Sequence, residues 1–163
     1  MTGFEPGLLD KLFDDDRRAA ASPALRNLSL EETKGAVARD LEALLNTRMV
    51  FTEAMLEGFP QCQRSALTFG LSDFSGLSLA SFYDRAFICR SIENAILRHE
   101  PRLRNVAVRI EMDEQVSTGV LFFGITAQLT LPALREPVSF DALLQPTTLQ
   151  YSVTRSAGRA RGS

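Results

Sequence analysis

Two stretches of the chain repeat apolar residues at helical spacing. The first begins at Ser29, which forms a capping-box pattern with Glu32, and its apolar positions continue to about Asn46. The second begins after Ser81 and ends before Pro101, because proline cannot continue a helix. The predicted inward faces are Val37, Leu41, Leu44 and Leu45 in the first stretch and Ile88, Ile92, Ala95, Ile96 and His99 in the second. The sequence therefore predicts two main helices.

Downstream of the second helix the pattern changes to alternating apolar and polar residues, which is typical of half-buried strands. The predicted strands cover residues 106–112, 121–131, 138–144 and, as a short fourth, 149–153. Pro132 and Pro137 bound a predicted turn between the second and third strands. Helices followed by a meander of strands indicate an α+β fold, with two main helices packed on a small antiparallel β-sheet.

Residues 47–80 contain several glycines and a proline, which predict loops with one short helix or strand near 64–69. This segment also contains more apolar residues than a free linker would. They are Phe59, Phe69, Leu71, Phe74 and Leu77. We therefore expect the segment to lie packed across the core.

The termini differ from the domain between them. Residues 1–28 form a predicted N-terminal arm and linker, residues 29–154 the domain, and residues 155–163 a basic, disordered tail. The arm carries an amphipathic patch made of Leu8, Leu9, Leu12 and Phe13. The patch is interpreted either as an arm folded back onto its own domain or as a hook for a partner's groove.

Composition narrows the class of protein. The 163 residues are 45% hydrophobic and carry a net charge of −2, which suits one domain and gives no indication of nucleic-acid binding. We expect no signal peptide and no membrane insertion, because the N-terminus is acidic and no apolar run reaches the roughly 20 residues of a spanning helix. The widely spaced Cys62 and Cys89 favour a reducing, cytoplasmic location.

Residues suited to catalysis are few. His99 is the only histidine, so no histidine-based metal cluster is expected, and this position is more typical of a packed residue. Glu93 and Glu100 lie two helical turns apart, about 10 Å, at the edge of the spacing used by inverting glycosidases. We expect no catalytic residue, cofactor, metal or small-molecule substrate. A peptidoglycan-cleaving, lysozyme-like glycosidase is the alternative.

The segment "RHEPRLRNV" places Glu100 and Arg102 on either side of Pro101, where helix changes to strand. The two charged residues either project toward a partner, with forked hydrogen bonds setting register, or form an internal pair that joins helix to sheet. Glutamate at the negative end of a helix dipole is slightly unfavourable on its own, which favours the partner.

The sheet raises a similar pair of alternatives, because a small meander leaves an edge strand with unpaired backbone groups. A partner strand adds to this edge, or the chain's own tail or loop covers it. Arg155, Arg159 and Arg161 would protect the edge against unwanted strands.

Four blocks of sequence resemble the TssE family, baseplate subunits of bacterial type VI secretion that are related to the sheath-initiating wedge protein of contractile phage tails. The blocks are "RDLEALLNTR" at 39–48, "GLSDFSGLSLAS" at 70–81, "EPRLRNV" at 100–106 and "VSFDALLQPTTLQYSV" at 138–153. The resemblance spans about residues 8–153.

The resemblance implies a structural role at the cytoplasmic, inner-membrane side of the cell. The implied neighbours are the wedge proteins TssF and TssG, the attached TssK, and the contractile sheath subunits TssB and TssC, whose assembly such a protein would template. The family's Glu-Pro-Arg motif falls on Glu100, Pro101 and Arg102, and is implied to contact the helical core bundle of the wedge. Some family members carry the lysozyme-like label.

Overall fold

The computed structural model describes residues 29–51, 54–78, 80–111, 121–145 and 147–156. The described elements are helices α1 (Leu30–Asn46) and α2 (Phe82–His99), strands β1 (Leu103–Glu111), β2 (Leu121–Leu131), β3 (Leu134–Gln145) and β4 (Gln150–Arg155), and short 3-10 turns at Ala54–Leu56, Cys62–Arg64 and Ala66–Thr68. The α+β prediction is confirmed. The predicted arm patch of Leu8, Leu9, Leu12 and Phe13 lies outside the described residues.

Both helices begin and end where the sequence predicts. Ser29 Oγ accepts a hydrogen bond from the Glu32 amide at 3.2 Å, and the Glu32 carboxylate accepts one from the Ser29 amide at 2.7 Å, which completes the capping box. Ser81 Oγ accepts from the Asp84 amide at 3.3 Å at the start of α2. Of the described helices, none is long and apolar enough to cross a membrane.

The sheet is an antiparallel meander in the order β1-β2-β3-β4. Helix α1 packs mainly beside β4 and helix α2 beside β1, so each outer strand is flanked by a helix. One face of the sheet closes the core with the inward faces of the helices. The largest fully buried side chains include Leu41, Leu44, Ile92, Ile96, Phe123 and Phe140.

Strand β1 begins three residues earlier than predicted, at Leu103. Leu103 and Val108 are both buried although an odd number of positions separates them, which a regular strand would not allow. The register shifts between Arg104 and Ala107, and Asn105 adopts a positive φ of 51° there. This bulge returns both residues to the core face, and it explains why simple alternation missed the start of the strand.

The predicted turn between the second and third strands is present but shorter than predicted: it comprises Pro132 and Ala133, because β3 begins at Leu134 and Pro137 pairs with Gln128 of β2. The Ser139 carbonyl accepts a hydrogen bond from the Ser156 amide at 3.0 Å, so the backbone amide and carbonyl of Ser139 point away from β2. Pro137 lies two positions earlier, so its backbone groups point in the same direction as those of Ser139. Its missing N–H therefore removes no hydrogen bond to β2.

The predicted fourth strand also began one residue too early. Leu149 has a positive φ of 54° and lies in the turn before β4, where its amide donates to the Gln145 carbonyl at 2.8 Å. Strand β4 starts at Gln150 and includes Arg155, which the sequence had placed in the tail.

The segment after α1 is closed by a short backbone contact. The Met49 amide donates to the Leu71 carbonyl and the Leu71 amide donates to the Thr47 carbonyl, both at 2.9 Å, which forms an isolated parallel bridge between Arg48 and Leu71. Gly70 has a φ of 122°, and a Cβ there would lie 2.5 Å from the Thr47 carbonyl oxygen. Glycine is therefore required for this close approach.

Packing of this segment across the core is confirmed for most of its apolar residues. Leu71 is buried, and Phe69, Phe74 and Leu77 pack against the core as partly buried side chains. The expectation is wrong for Phe59, which is 64% exposed. In the neighbouring turn, Ala54–Leu56, the buried side chain is that of Leu56.

Candidate functional site

The Glu-Pro-Arg motif forms a tight turn between α2 and β1. The Leu103 amide donates to the Glu100 carbonyl at 3.1 Å, and Pro101 occupies the second position of the turn, where its fixed φ is favourable. The Arg102 carbonyl accepts from the Thr130 amide of β2 at 2.8 Å, so the turn is already joined to the sheet. Pro101 therefore both ends the helix and directs the chain into the strand.

The charged side chains of this turn point inward. Arg102 donates from Nε to Glu100 Oε1 at 2.7 Å and from Nη2 to Glu100 Oε2 at 2.5 Å, which is a forked pair. Arg102 Nη2 also donates to Asp40 Oδ2 of α1. We call Asp40, Glu100 and Arg102 the charged corner. Glu100 is only 4% exposed, so its predicted projection toward a partner is wrong, and the internal pair is observed.

The charged corner explains how Glu100 is tolerated at the end of α2, where the helix dipole is negative. Arg102 offsets the unfavourable position of Glu100 at the negative end of α2. Burial alone would lower the pKa of Arg102, but hydrogen bonds and charge from Glu100 and Asp40 raise it overall. Of the three motif residues, only Pro101 is exposed. A partner contact by Glu100, Pro101 and Arg102 stays a prediction.

The outer edge of β4 is largely occupied by side chains of α1. Asn46 accepts from the Tyr151 amide through Oδ1 and donates to the Tyr151 carbonyl through Nδ2, both at 2.8 Å. Glu42 Oε2 accepts from the Val153 amide at 2.7 Å. The helical pattern of the sequence gives no indication of this role for Glu42. These contacts leave little of β4 available to another strand.

The outer edge of β1 is covered in the same way by α2. Glu93 Oε1 accepts from the Val108 amide at 2.9 Å. Burial raises the pKa of the Cys89 thiol, while a hydrogen bond from the Ile110 amide acts in the opposite direction. Helix side chains therefore bind the middle of both outer strands.

These contacts also bear on the glycosidase alternative. Both oxygens of Glu100 bind Arg102, and Glu93 binds a backbone amide. Neither carboxylate is presented to a sugar in the way that general-acid catalysis requires. Within the described ranges, no group of His, Cys, Asp or Glu residues is arranged to hold a metal ion.

His99 is packed, as the sequence favoured. Its Nε2 lies 2.8 Å from the Thr68 carbonyl oxygen, and its ring meets Phe69 edge-on with centroids 5.4 Å apart. Burial lowers the pKa of His99, the Thr68 carbonyl acts in the opposite direction, and the charge of Arg98 lowers it further. His99 therefore fastens the 62–69 stretch to the end of α2.

The first residues of β3 have no neighbour on their outer side among the described strands. Strand β4 ends at Arg155, opposite Phe140, so the preceding residues of β3 pair with β2 alone among the described strands. We call residues 134–138 the open edge of β3. By strand alternation from Ser139, the groups that face outward are the amide and carbonyl of Arg135 and the carbonyl of Pro137.

Charged residues surround the open edge. Lys34 of α1 contacts Glu136 at 2.5 Å and Glu31 at 3.3 Å, and Arg155 contacts Glu31. The hydrogen bond from Lys34 to Glu136 is the main cause that raises the pKa of Lys34. A cavity of about 1150 Å³ adjoins this region, lined by Glu31, Lys34, Pro137, Val138, Arg155 and Ser156 together with residues of the polar sheet face.

A second surface is apolar and lies at the start of α2. Phe82, Tyr83 and Phe87 are 70%, 83% and 55% exposed, and Phe87 meets Phe74 edge-on with centroids 6.4 Å apart. We call Phe82, Tyr83 and Phe87 the aromatic end of α2. Exposed aromatic clusters of this kind mark protein contacts. The sequence could have indicated this surface, because the three aromatic residues lie off the predicted inward face of the helix.

By fold and surface, the chain is an α+β domain with a sealed charged turn and two surfaces suited to protein contact. Its residues 31–132 match the family model described as Baseplate wedge protein gp25, and the chain belongs to this family, which is that of TssE. The predicted resemblance is thereby confirmed. The family is a structural one, so the chain is a baseplate structural protein. No curated protein matches the chain.

Proposed function

We propose that the chain is a baseplate subunit of a bacterial type VI secretion system, which links the baseplate wedge to the contractile sheath and templates sheath assembly. Membership of the wedge family and the four sequence blocks support the proposal. The observation that carries the sheath link is the open edge of β3, whose outward backbone groups pair with no described strand.

In this proposal a strand from a sheath subunit, TssB or TssC, adds to the open edge. The Arg135 amide supplies a donor, and the carbonyls of Arg135 and Pro137 supply acceptors. The end of β4 at Arg155 limits the site to the five residues from 134 to 138, so a strand has little freedom to slide. The side chains of α1 and α2 that cover β4 and β1 would direct the strand to this site.

The wedge side of the proposal uses the aromatic end of α2. Phe82, Tyr83 and Phe87 provide the exposed apolar area on which helices of TssF and TssG would pack, with TssK attached in the same assembly. The charged corner would hold the turn rigid, with Pro101 exposed at its surface. The complex would lie at the cytoplasmic face of the inner membrane, with residues 7–13 as a further hook.

The sheath link is tested by purifying a tagged full-length chain, under mild conditions, from a bacterium that assembles the secretion system. Arg135→Pro removes the outward amide, whereas the matched control Arg135→Ala keeps it and loses only the side chain. We expect the proline variant to lose TssB and TssC but retain TssF and TssG, and the alanine variant to retain all four. Unchanged sheath recovery with the proline variant would contradict the link, and absence of every baseplate protein would contradict the function.

The wedge contact is tested in the same cells with Phe87→Ser. Leu149→Ser is a matched control, because Phe87 and Leu149 are both 55% exposed and lie on different elements. We expect the Phe87 variant to recover less TssF and TssG than the control. Equal recovery by the two variants would exclude the aromatic end of α2 from the contact.

A further inference from the structure

The aromatic end of α2 continues as a stripe of exposed residues along the outward side of the helix. These residues follow one another at alternating intervals of four and three positions, and they are Tyr83, Phe87, Arg90, Asn94 and Leu97. We call them the outer stripe of α2. At about 3.6 residues per turn, the outer stripe lies opposite the buried side of the helix. It therefore faces away from the core.

The spacing of the outer stripe is that of a coiled-coil seam, in which a second helix packs along the first. The seam is about 21 Å long at 1.5 Å per residue. Tyr83, Phe87 and Leu97 are 83%, 55% and 42% exposed, so they supply apolar area along its whole length. The backbone groups of α2 are bonded within the helix, so an added strand would find no partners there. The outer stripe is therefore suited to a helix.

Two polar residues, Arg90 and Asn94, occupy the middle of the outer stripe. A polar residue within such a seam lowers stability but selects the register and the partner. Arg90 forms no ion pair with another residue that the structure describes. A guanidinium enclosed between two packed helices needs a carboxylate, because an unpaired buried charge is costly.

The carboxylates of α2 itself are already bound elsewhere. Asp84 Oδ2 accepts from the Ser78 amide at 2.9 Å, and Glu93 Oε1 accepts from the Val108 amide at 2.9 Å. A second copy of α2 would bring another Arg90, and its carboxylates would be bound in the same way. The carboxylate that faces Arg90 must therefore come from a different protein.

A lipid surface is the other occupant that aromatic and basic residues on a helix can indicate. Helices that lie in a membrane interface carry a continuous apolar face, with their cations on the opposite, polar face. Arg90 and Asn94 instead lie on the centre line of the outer stripe, between Phe87 and Leu97. This arrangement favours a protein helix that brings its own polar groups.

We propose that the outer stripe of α2 binds one amphipathic helix of a wedge subunit, which packs on Tyr83, Phe87 and Leu97 and pairs a carboxylate with Arg90. The assignment of this helix to TssF or TssG rests on the proposed function. The forked guanidinium of Arg90 can bind both oxygens of that carboxylate, which sets the position of the helix along α2.

The ion pair is tested by purifying tagged full-length variants from cells that assemble the secretion system. Arg90→Glu reverses the charge in the outer stripe, and the matched control Arg109→Glu makes the same change at an exposed position of β1. We expect Arg90→Glu to recover at least about tenfold less TssF and TssG than the control, because like charges then face each other. Equal recovery by the two variants would overturn the inference. Failure of the wild type to recover any baseplate protein would instead contradict the proposed function.

The partner helix is identified by photo-crosslinking from position 94 in a chain that keeps Arg90. We expect adducts within one helical segment of TssF or TssG that carries Asp or Glu. Replacing this acidic residue with Arg should restore the recovery of that subunit by Arg90→Glu, which a loss of folding would not allow. Adducts with a second copy of the chain, or a segment without an acidic residue, would overturn the inference.

The lipid alternative is tested by flotation of the purified full-length protein with vesicles of phosphatidylethanolamine and phosphatidylglycerol. We expect the protein to remain unbound. Flotation of the wild type that Arg90→Glu abolishes would assign the outer stripe to lipid and would overturn the inference.

Discussion

The charged corner and the open edge of β3 differ in how well the sequence indicates what lies at the surface. Glu100 and Arg102 stand out in the sequence as charges on either side of a proline, yet the fold encloses them and supplies Asp40 as a third member. The open edge looks like a turn in the sequence, yet it leaves backbone groups facing outward. A conspicuous charge in the sequence is therefore a weak indication of docking, because a distant residue can neutralise the charge.

The two regions also differ in what they contribute. The charged corner joins α1, α2 and β1 through one guanidinium, so it contributes mainly to the stability and rigidity of the domain. The open edge of β3 should contribute little to the stability of the domain, because its outward backbone groups pair with none of the described strands. Substitutions in the two regions should separate these contributions.

The largest effect is expected for Arg102→Ala. The substitution leaves the Glu100 and Asp40 carboxylates close together without their cation, and we expect the free energy of unfolding to fall by about 3–5 kcal/mol. Urea unfolding followed by circular dichroism measures the change. The control is Arg104→Ala, at an exposed position of the same strand, which should change stability by less than about 0.5 kcal/mol. Equal midpoints for the two variants would mean that the corner is not a stabilising unit.

A smaller loss is expected for Asn46→Ala, which uncovers part of the outer edge of β4. The variant removes two hydrogen bonds to Tyr151 and should lose about 1–3 kcal/mol of unfolding free energy. Asn94→Ala is the matched control, since Asn94 is exposed on α2. If Asn46→Ala and Asn94→Ala lose the same unfolding free energy, the Asn46 side chain does not stabilise the edge of β4.

His99 should make stability depend on pH near neutrality. Its pKa is lowered from 6.5 in the folded state, so the unfolded chain binds protons more readily than the folded chain. Its contribution is fully present above pH 6.5 and is lost as pH falls through the lower, folded-state pKa. We expect the unfolding free energy of the wild type to fall more than that of His99→Gln between about pH 7.5 and about pH 5. If the unfolding free energies of the wild type and His99→Gln fall in parallel with pH, His99 is not the source of the pH dependence.

The smallest effect on stability is expected for Arg135→Pro. Its amide faces away from β2, and the residue is exposed, so the change in unfolding free energy should stay within about 0.5 kcal/mol. The same urea experiment measures it beside Arg102→Ala. A loss as large as that of the corner variant would show that the Arg135 amide is part of the internal hydrogen bonding, and the open edge would not exist as described.

Local signals predicted most of the fold. The caps at Ser29 and Ser81, the stop at Pro101 and the alternation in β2 each depend on a few neighbouring residues, and the structure places those elements accordingly. The bulge at Asn105 was missed because it changes the phase of the strand, which alternation takes as constant.

The failures concern contacts between distant parts of the chain. Arg102 and Asp40 are separated by 62 positions, and Asn46 and Tyr151 by 105, so no local pattern could show that these polar groups bind each other. The role of Pro137 was missed for the same reason, since it depends on where β4 ends. The helical pattern of the sequence also gave no indication that Glu42, Asn46 and Glu93 bind strand amides.

The central claim of the proposed function is that the open edge of β3 receives the sheath. It is tested most directly by placing a photo-crosslinking amino acid at position 135, and at the exposed control position 104, in cells that assemble the baseplate. We predict a covalent adduct with a sheath subunit from position 135 and none from position 104. No sheath adduct from position 135 in cells whose sheaths assemble normally, or sheath adducts of equal yield from both positions, would contradict the account.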